Sequence, residues 1–256
     1  MTRDDDTAPL IALSDVPAAL GLLSRIPIPV NTERATARAP LAAWAYPIAG
    51  LAIALITSCV AHLCLAVGFS FAITAGLTLS TLVIITGALH EDGLSDAADG
   101  LWGGWDKARR LDIMKDSRIG AYGVIALILA LGLRWQALTL IFETTLWPAL
   151  IATAILSRAS MVPLMSLLPN ARDTGLSHSV GRPSKPTALI AIAIAALVSV
   201  ILFQRVGLLL IGVCALAALA CAFIAKSKVN GQTGDILGAT QQITEIAVLL
   251  TLAALL

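Results

Sequence analysis

Seven apolar stretches dominate this chain, at residues 44–67, 70–90, 120–142, 147–168, 187–203, 207–225 and 233–256, each 17 to 24 residues long. About 20 apolar residues in helical conformation cross the hydrocarbon core of a bilayer, so each run predicts a transmembrane helix. Of the 256 residues, 58% are hydrophobic and 13% charged, too little polar surface for a water-soluble domain. The expected fold is therefore all-α: a polytopic bundle of about seven transmembrane helices forming one integral membrane domain over residues 1–256. Residues 1–43 form its N-terminal segment and 44–256 the bundle. Within that segment, residues 10–24 are too interrupted to span, and the following Arg25-Ile-Pro-Ile-Pro29 breaks their helix, which predicts an amphipathic helix at the interface or packed on the bundle.

The cations set an orientation. Fourteen of the 17 Lys and Arg fall in the N-terminal 43 residues, in 91–119, in 169–186 or in 226–232, and on the opposite side only Arg205 remains. The positive-inside rule places those four segments, and the N-terminus, in the cytoplasm. The cytoplasmic connections are also the long polar ones, so the chemistry is expected at that face. A net charge of +1 offers no nucleic-acid footprint. Cys59, Cys64, Cys214 and Cys221 lie in apolar runs without metal-ligand spacing and read as small buried side chains. The acidic start, followed by a short apolar patch, does not resemble a cleaved signal peptide.

The densest chemical signal is His90-Glu-Asp-Gly-Leu-Ser-Asp-Ala-Ala-Asp-Gly100, directly after the second apolar run. Asp92, Asp96 and Asp99 are spaced i, i+4, i+7 and share about 60° of helix arc. Three carboxylates on one stripe repel one another unless a cation intervenes, and hard oxygen donors suit Mg²⁺ or Mn²⁺. The alternative is a solvated helix end paired with Lys107, Arg109 and Arg110. The spacing excludes an EF-hand, and Glu91 points about 100° off the stripe. Gly93 and Gly100 suit either close approach of an anionic ligand or plain helix packing.

Further along, Lys115 and Arg118 stand in a basic and acidic segment that fits a phosphate pocket, although its composition by itself favours a helix at the headgroup level. Arg158 lies inside the fourth run, where a charge needs a structural carboxylate or a ligand phosphate, and Arg134 and Glu143 read as snorkelling residues nearer the outer half. Thr233 and Asp235 open the last helix, where Asp235 either caps it or brings a second carboxylate to a metal site. His178 reads as a solvated loop residue.

Three blocks, Asp92-Gly-Leu-Ser-Asp-Ala-Ala-Asp-Gly100, Leu111-Asp-Ile-Met-Lys-Asp-Ser-Arg-Ile-Gly120 and Gly231-Gln-Thr-Gly-Asp-Ile-Leu-Gly-Ala239, resemble the signature blocks of the cobalamin synthase (adenosylcobinamide-GDP ribazoletransferase) family. Leu23-Ser-Arg-Ile-Pro-Ile-Pro29, Pro47-Ile-Ala-Gly50 and Ser157-Arg158 extend the resemblance from the first amphipathic segment to the last helix. Ser95-Asp-Ala replaces the family's usual Ala-Asp-Thr and keeps the acids.

The resemblance implies a Mg²⁺-dependent enzyme of the cytoplasmic (inner) membrane. Such an enzyme joins adenosylcobinamide-GDP to α-ribazole or its 5′-phosphate and releases GMP. It further implies that Asp92, Asp96, Asp99 and Asp235 act in catalysis and hold Mg²⁺, with Asp99 or Asp235 as general base. Lys115, Arg118 and Arg158 would bind the diphosphate, and Gly231, Thr233 and Gly234 would line the approach of guanosine or ribazole. The expected partners are those small molecules and membrane lipid, with no nucleic acid; small-residue patterns permit a homo-oligomer. Two alternatives are a CDP-alcohol-type membrane phosphotransferase, whose acid spacing differs, and an ion-coupled transporter, which would carry acids on broken helices at the bilayer midplane.

Overall fold

A computed structural model describes residues 9–255. The described residues form thirteen α-helices and short connections: α1 (Asp15–Leu23), α2 (Thr32–Ala37), α3 (Ala39–Ala42), α4 (Tyr46–Ala66), α5 (Phe71–Thr86), α6 (Leu89–Gly103), α7 (Lys107–Ile113), α8 (Ala121–Ile141), α9 (Trp147–Leu167), α10 (Leu176–Val180), α11 (Lys185–Phe203), α12 (Arg205–Val229) and α13 (Gly234–Leu255). A 3₁₀ turn, Ala43–Ala45, joins α3 to α4. Six of the predicted spans appear as continuous apolar helices of crossing length. In the bundle α9 and α13 are the most enclosed, while α8, α11 and α12 turn Ile128, Leu197, Leu216 and Phe223 outward. Outward leucines and phenylalanines are what a lipid-facing helix surface requires.

The second predicted span, 70–90, is not one straight helix. α5 ends at Thr86, and the chain reverses through Gly87 (φ 63°) and Ala88 (φ 55°), both left-handed. Glycine takes that conformation at no steric cost and ends a helix readily, whereas Ala88 is held there against its preference. α6 then leaves at 86° to α5. The apolar helices of crossing length therefore number six, or seven where α5 and α6 are counted together as one broken span. At about 1.5 Å per residue, the 16 residues of α5 cover roughly 24 Å. Its far end meets the N-terminal segment, where the Arg25 amide donates to the Ile85 carbonyl at 2.6 Å. The helix that carries the acids is thus a separate element laid across the bundle, not the frayed end of a span.

What α6 lies against explains how it stays there. Glu91 is buried and pairs with Arg134 of α8 at 2.8 Å, and Arg134 pairs with Glu245 of α13 at 2.6 Å. Gln242 accepts from Arg134 at 2.9 Å and donates to Glu91 at 3.2 Å; Gln241 donates to Glu245 at 2.6 Å and to the Ser157 hydroxyl of α9 at 3.0 Å. Arg134 is therefore no snorkelling residue; it is fully buried between two carboxylates. Gly93 and Gly238 let α6 and α13 close up at a second point. A Cβ on Gly93 would stand 3.0 Å from the Asp235 carbonyl oxygen, and one on Gly238 would stand 3.2 Å from the Gly93 Cα.

The N-terminal α1 packs on the start of α4, as an interfacial or packed-on helix should. Asp15, 1% exposed, accepts from the Arg38 guanidinium at 2.8 and 2.9 Å and from the Trp44 indole at 2.8 Å. Cys64, Cys214 and Cys221 are buried as expected, while Cys59 faces outward from α4.

Replacing Arg134 by Ala leaves Glu91 and Glu245 buried without their cation. Removing one partner of a buried pair costs about 3–5 kcal/mol, so Arg134→Ala should lower the thermal unfolding midpoint in detergent severely. Adding Glu91→Gln and Glu245→Gln to that variant should restore part of the loss.

Candidate active site

A cavity of about 230 Å³ opens where α6 meets α13. Its polar wall holds His90, Asp92, Arg172, Ser177 and Asp235, and its apolar wall Leu22 and Leu23 of α1, Met161 and Met165 of α9, and Leu237. Each polar group arrives from a different stretch of chain. His90 and Asp92 come from the first turn of α6, Asp235 from the first turn of α13, and Arg172 and Ser177 from the segment between α9 and α11.

The start of α13 and that segment are stapled together by Gln232. Its amide donates to the Pro169 carbonyl and its carbonyl accepts from the Ala171 amide, each at 2.8 Å, forming a single parallel bridge with Asn170. Its side chain accepts from the Ser177 hydroxyl at 2.6 Å and donates to Asn170 at 2.5 Å. Gly231 serves this junction, since a Cβ there would run into the Pro169 carbonyl oxygen. Thr233 caps α13: its hydroxyl accepts from the Ile236 amide at 3.3 Å and donates to Asp235 Oδ2 at 3.1 Å. Gly234 sits on the cavity wall, where an added Cβ would make ordinary van der Waals contact with the Ser177 amide nitrogen at 3.9 Å and Leu176 Cβ at 4.0 Å.

The acids do not stand together as one set. Asp92 is exposed and lines the cavity, whereas Asp96 is half-buried and Asp99 buried, and neither is part of the cavity wall. Helical arc alone hides the reason: seven residues also rise about 10 Å, so a common face brings Asp92 near Asp96 but carries Asp99 to the α8 contact. There Asp99 accepts from the Gly120 amide at 2.7 Å and the Gly123 amide at 2.9 Å, holding the N-terminus of α8. Asp235 crosses from α13 and pairs with Arg172 at 3.0 Å. Burial, then the charges of Asp92, Asp235 and Asp99, push the Asp96 carboxyl up to about 7, against the opposing pull of Arg172.

The predicted cations lie elsewhere. Lys115 is exposed in the α7–α8 connection, and Arg118, its side chain 87% exposed, folds back on Asp116 at 2.7 Å. Arg158 is fully buried in α9, where it donates to the Ala154 carbonyl at 3.2 Å and lies within electrostatic reach of Glu245 and Glu91. It does not line the cavity, and its Nε and Nη2 make no hydrogen bond. Arg172 is the cation at the site. In the sequence its loop reads only as polar, and the contact across 63 positions to Asp235 leaves no local pattern. His178 is exposed, in keeping with a loop residue, with Asn170 at 3.4 Å from its Nδ1.

Among the described residues no three His, Cys, Asp or Glu side chains are grouped closely enough to hold a metal by themselves. Mg²⁺ is commonly held by one or two carboxylates plus substrate phosphates, and Asp92 on the cavity wall with Asp96 one turn further along α6, crowded by like charge, fits that donor chemistry. Asp99→Ala should destabilise the fold by about 1–3 kcal/mol, because two backbone amides lose their acceptor. Asp92→Asn, which removes repulsion, should leave the unfolding midpoint unchanged or higher; both are read by thermal denaturation in detergent.

Residues 15–253 match the family model described as cobalamin-5-phosphate synthase. A Bradyrhizobium diazoefficiens protein named adenosylcobinamide-GDP ribazoletransferase is 43% identical over 247 residues, covering 94% of each chain. Proteins of the same name from Sinorhizobium medicae and a further Sinorhizobium are 44% and 45% identical over 250 residues, covering 93% of this chain and 95% of theirs. No solved structure matches. Neither a CDP-alcohol phosphotransferase nor a transporter is among these relatives, and the chain belongs to the cobalamin-5-phosphate synthase family, as a transferase of cobalamin synthesis.

Proposed function

We propose that this protein transfers the adenosylcobinamide-phosphate group of adenosylcobinamide-GDP to α-ribazole, or to its 5′-phosphate, with Mg²⁺, at the cytoplasmic face of the inner membrane. The observation that carries this reading is the meeting of Asp92 with Asp235 and Arg172 around one cavity: two of the three family-like blocks, far apart in sequence, abut there at Gly93 and Gly238. The relatives' name supports the two substrates. The excess of Lys and Arg on the connections at that end supports the orientation, and the outward apolar side chains support a surrounding lipid.

In this reaction a ribose hydroxyl oxygen forms a bond to the phosphorus attached to cobinamide. The anhydride bond to the second phosphorus breaks, and GMP departs with the bridging oxygen. Asp92 and Asp96 would hold Mg²⁺, which when bound neutralises charge on the diphosphate oxygens. Asp235, oriented by the Thr233 hydroxyl, accepts the proton of the attacking hydroxyl. Asp99 and the Arg134 network position α6, and so fix where Asp92 and Asp96 stand. Gly234 leaves the backbone bare beside Asp235, so a substrate group can approach closely. Leu22, Leu23, Met161 and Met165 exclude water from the opposite side.

The test uses the purified full chain in detergent with adenosylcobinamide-GDP, α-ribazole and Mg²⁺, following GMP. Native protein should release GMP, and Asp92→Asn should lower the rate about a hundredfold or more, equivalent to roughly 3 kcal/mol of barrier. No GMP from the native chain, or undiminished GMP from Asp92→Asn, would overturn this function.

A further inference from the structure

Arg172 is the only Lys or Arg on the cavity wall among the described residues. One arm of its guanidinium is committed: Nη2 donates to Asp235 Oδ2 at 3.0 Å. The other is not, because Nη1 is buried and makes no hydrogen bond. The side chain is 14% exposed, so this arm is not simply solvated. Its backbone is held firm, with the preceding Ala171 amide on the Gln232 carbonyl and Gly175 folded against the guanidinium, where a Cβ would stand 3.3 Å from Nε. A planar fork on a firmly held backbone at the cavity wall, with one arm unpartnered, suits two oxygens of a phosphate once it turns from Asp235. Its present partner belongs to a group of acids whose mutual repulsion a divalent cation would relieve equally well.

We propose that Arg172 is an exchangeable counter-ion: without substrate it neutralises Asp235 and its neighbours in place of a divalent cation, and on binding it passes to the substrate's diphosphate oxygens. Asp235 is thereby released to serve the reaction, and the carboxylates become available to the metal that accompanies the phosphates. This rests on the metal and diphosphate reading above. It implies that metal and diphosphate bind together and that the metal alone binds weakly.

The two ligands then respond to Arg172 with opposite sign, which a merely structural arginine would not produce. Mn²⁺ binding to the full chain in detergent, without nucleotide, is read from the electron paramagnetic resonance of free Mn²⁺; binding of GDP in the presence of Mg²⁺ is read by calorimetry. Arg172→Gln should tighten Mn²⁺ about tenfold, because a nearby positive charge is gone, and weaken GDP at least about tenfold. Arg172→Lys keeps the charge but not the fork, so Mn²⁺ affinity should stay near native while GDP weakens; this variant carries the test if Arg172→Gln does not fold. Mn²⁺ affinity that is unchanged or weaker in Arg172→Gln, or GDP affinity unchanged in either variant, overturns the exchange. Asp92→Asn reports on the underlying reading: if Mn²⁺ binds it as well as the native chain, or binds no form, the metal site fails and the exchange fails with it. Normal Mn²⁺ binding through Asp92 with no GMP release isolates failure of the proposed reaction.

Discussion

The placement of α6 depends on Arg134. A charged group at full burial in an apolar bundle is tolerated only when opposite charge and hydrogen-bond acceptors meet it, and here Glu91, Glu245 and Gln242 do so from two other helices. Arg158 adds a second buried cation to the two carboxylates, so the region balances in charge. Glu91 of α6, Arg134 of α8 and Gln242 and Glu245 of α13 are bound to one another, and Ser157 of α9 joins them through Gln241. This network is directional, unlike apolar packing, and fixes how α6 lies across the others. The same helix then presents Asp92 to the cavity on one side and Asp99 to the head of α8 on the other.

Two kinds of contact therefore hold the acid-bearing helix. Polar contacts at Glu91 and Asp99 specify its rotation, and the bare backbone at Gly93 and Gly238 specifies its distance from α13. Rotation and distance together determine that Asp92 faces Asp235 across the cavity. The bend after Thr86 makes this possible, since a helix that continued the direction of α5 would carry the same residues along the bundle instead of across it.

Much of the architecture was legible in the sequence. Span length, hydropathy and the position of the last helix follow from runs of apolar residues, and six of seven appear as read. The break at Gly87 and Ala88 was hidden because hydropathy reports composition along the chain and not its direction. In the site, Asp92, Asp96 and Asp235 were visible as acids at helix ends. Asp99 is visible as an acid on the same stripe, but its two bonds to the head of α8 are not, because angular spacing takes no account of axial rise. Arg172 and Glu245 were missed for a different reason: their partners are set by tertiary packing, and no local period records a pairing across 63 residues or between α8 and α13. Lys115 and Arg118 were drawn in by charge density alone.

The staple at Gln232 bears on the thermodynamics of recognition. Loops that border binding sites often order only when a ligand arrives, and the entropy lost in doing so is subtracted from affinity. Here the segment bearing Arg172 and Ser177 is already joined to the head of α13 by two backbone and two side-chain hydrogen bonds, around a residue 1% exposed. Little ordering of that wall is left for a ligand to bring about, so the affinity of the pocket is carried by the contacts themselves.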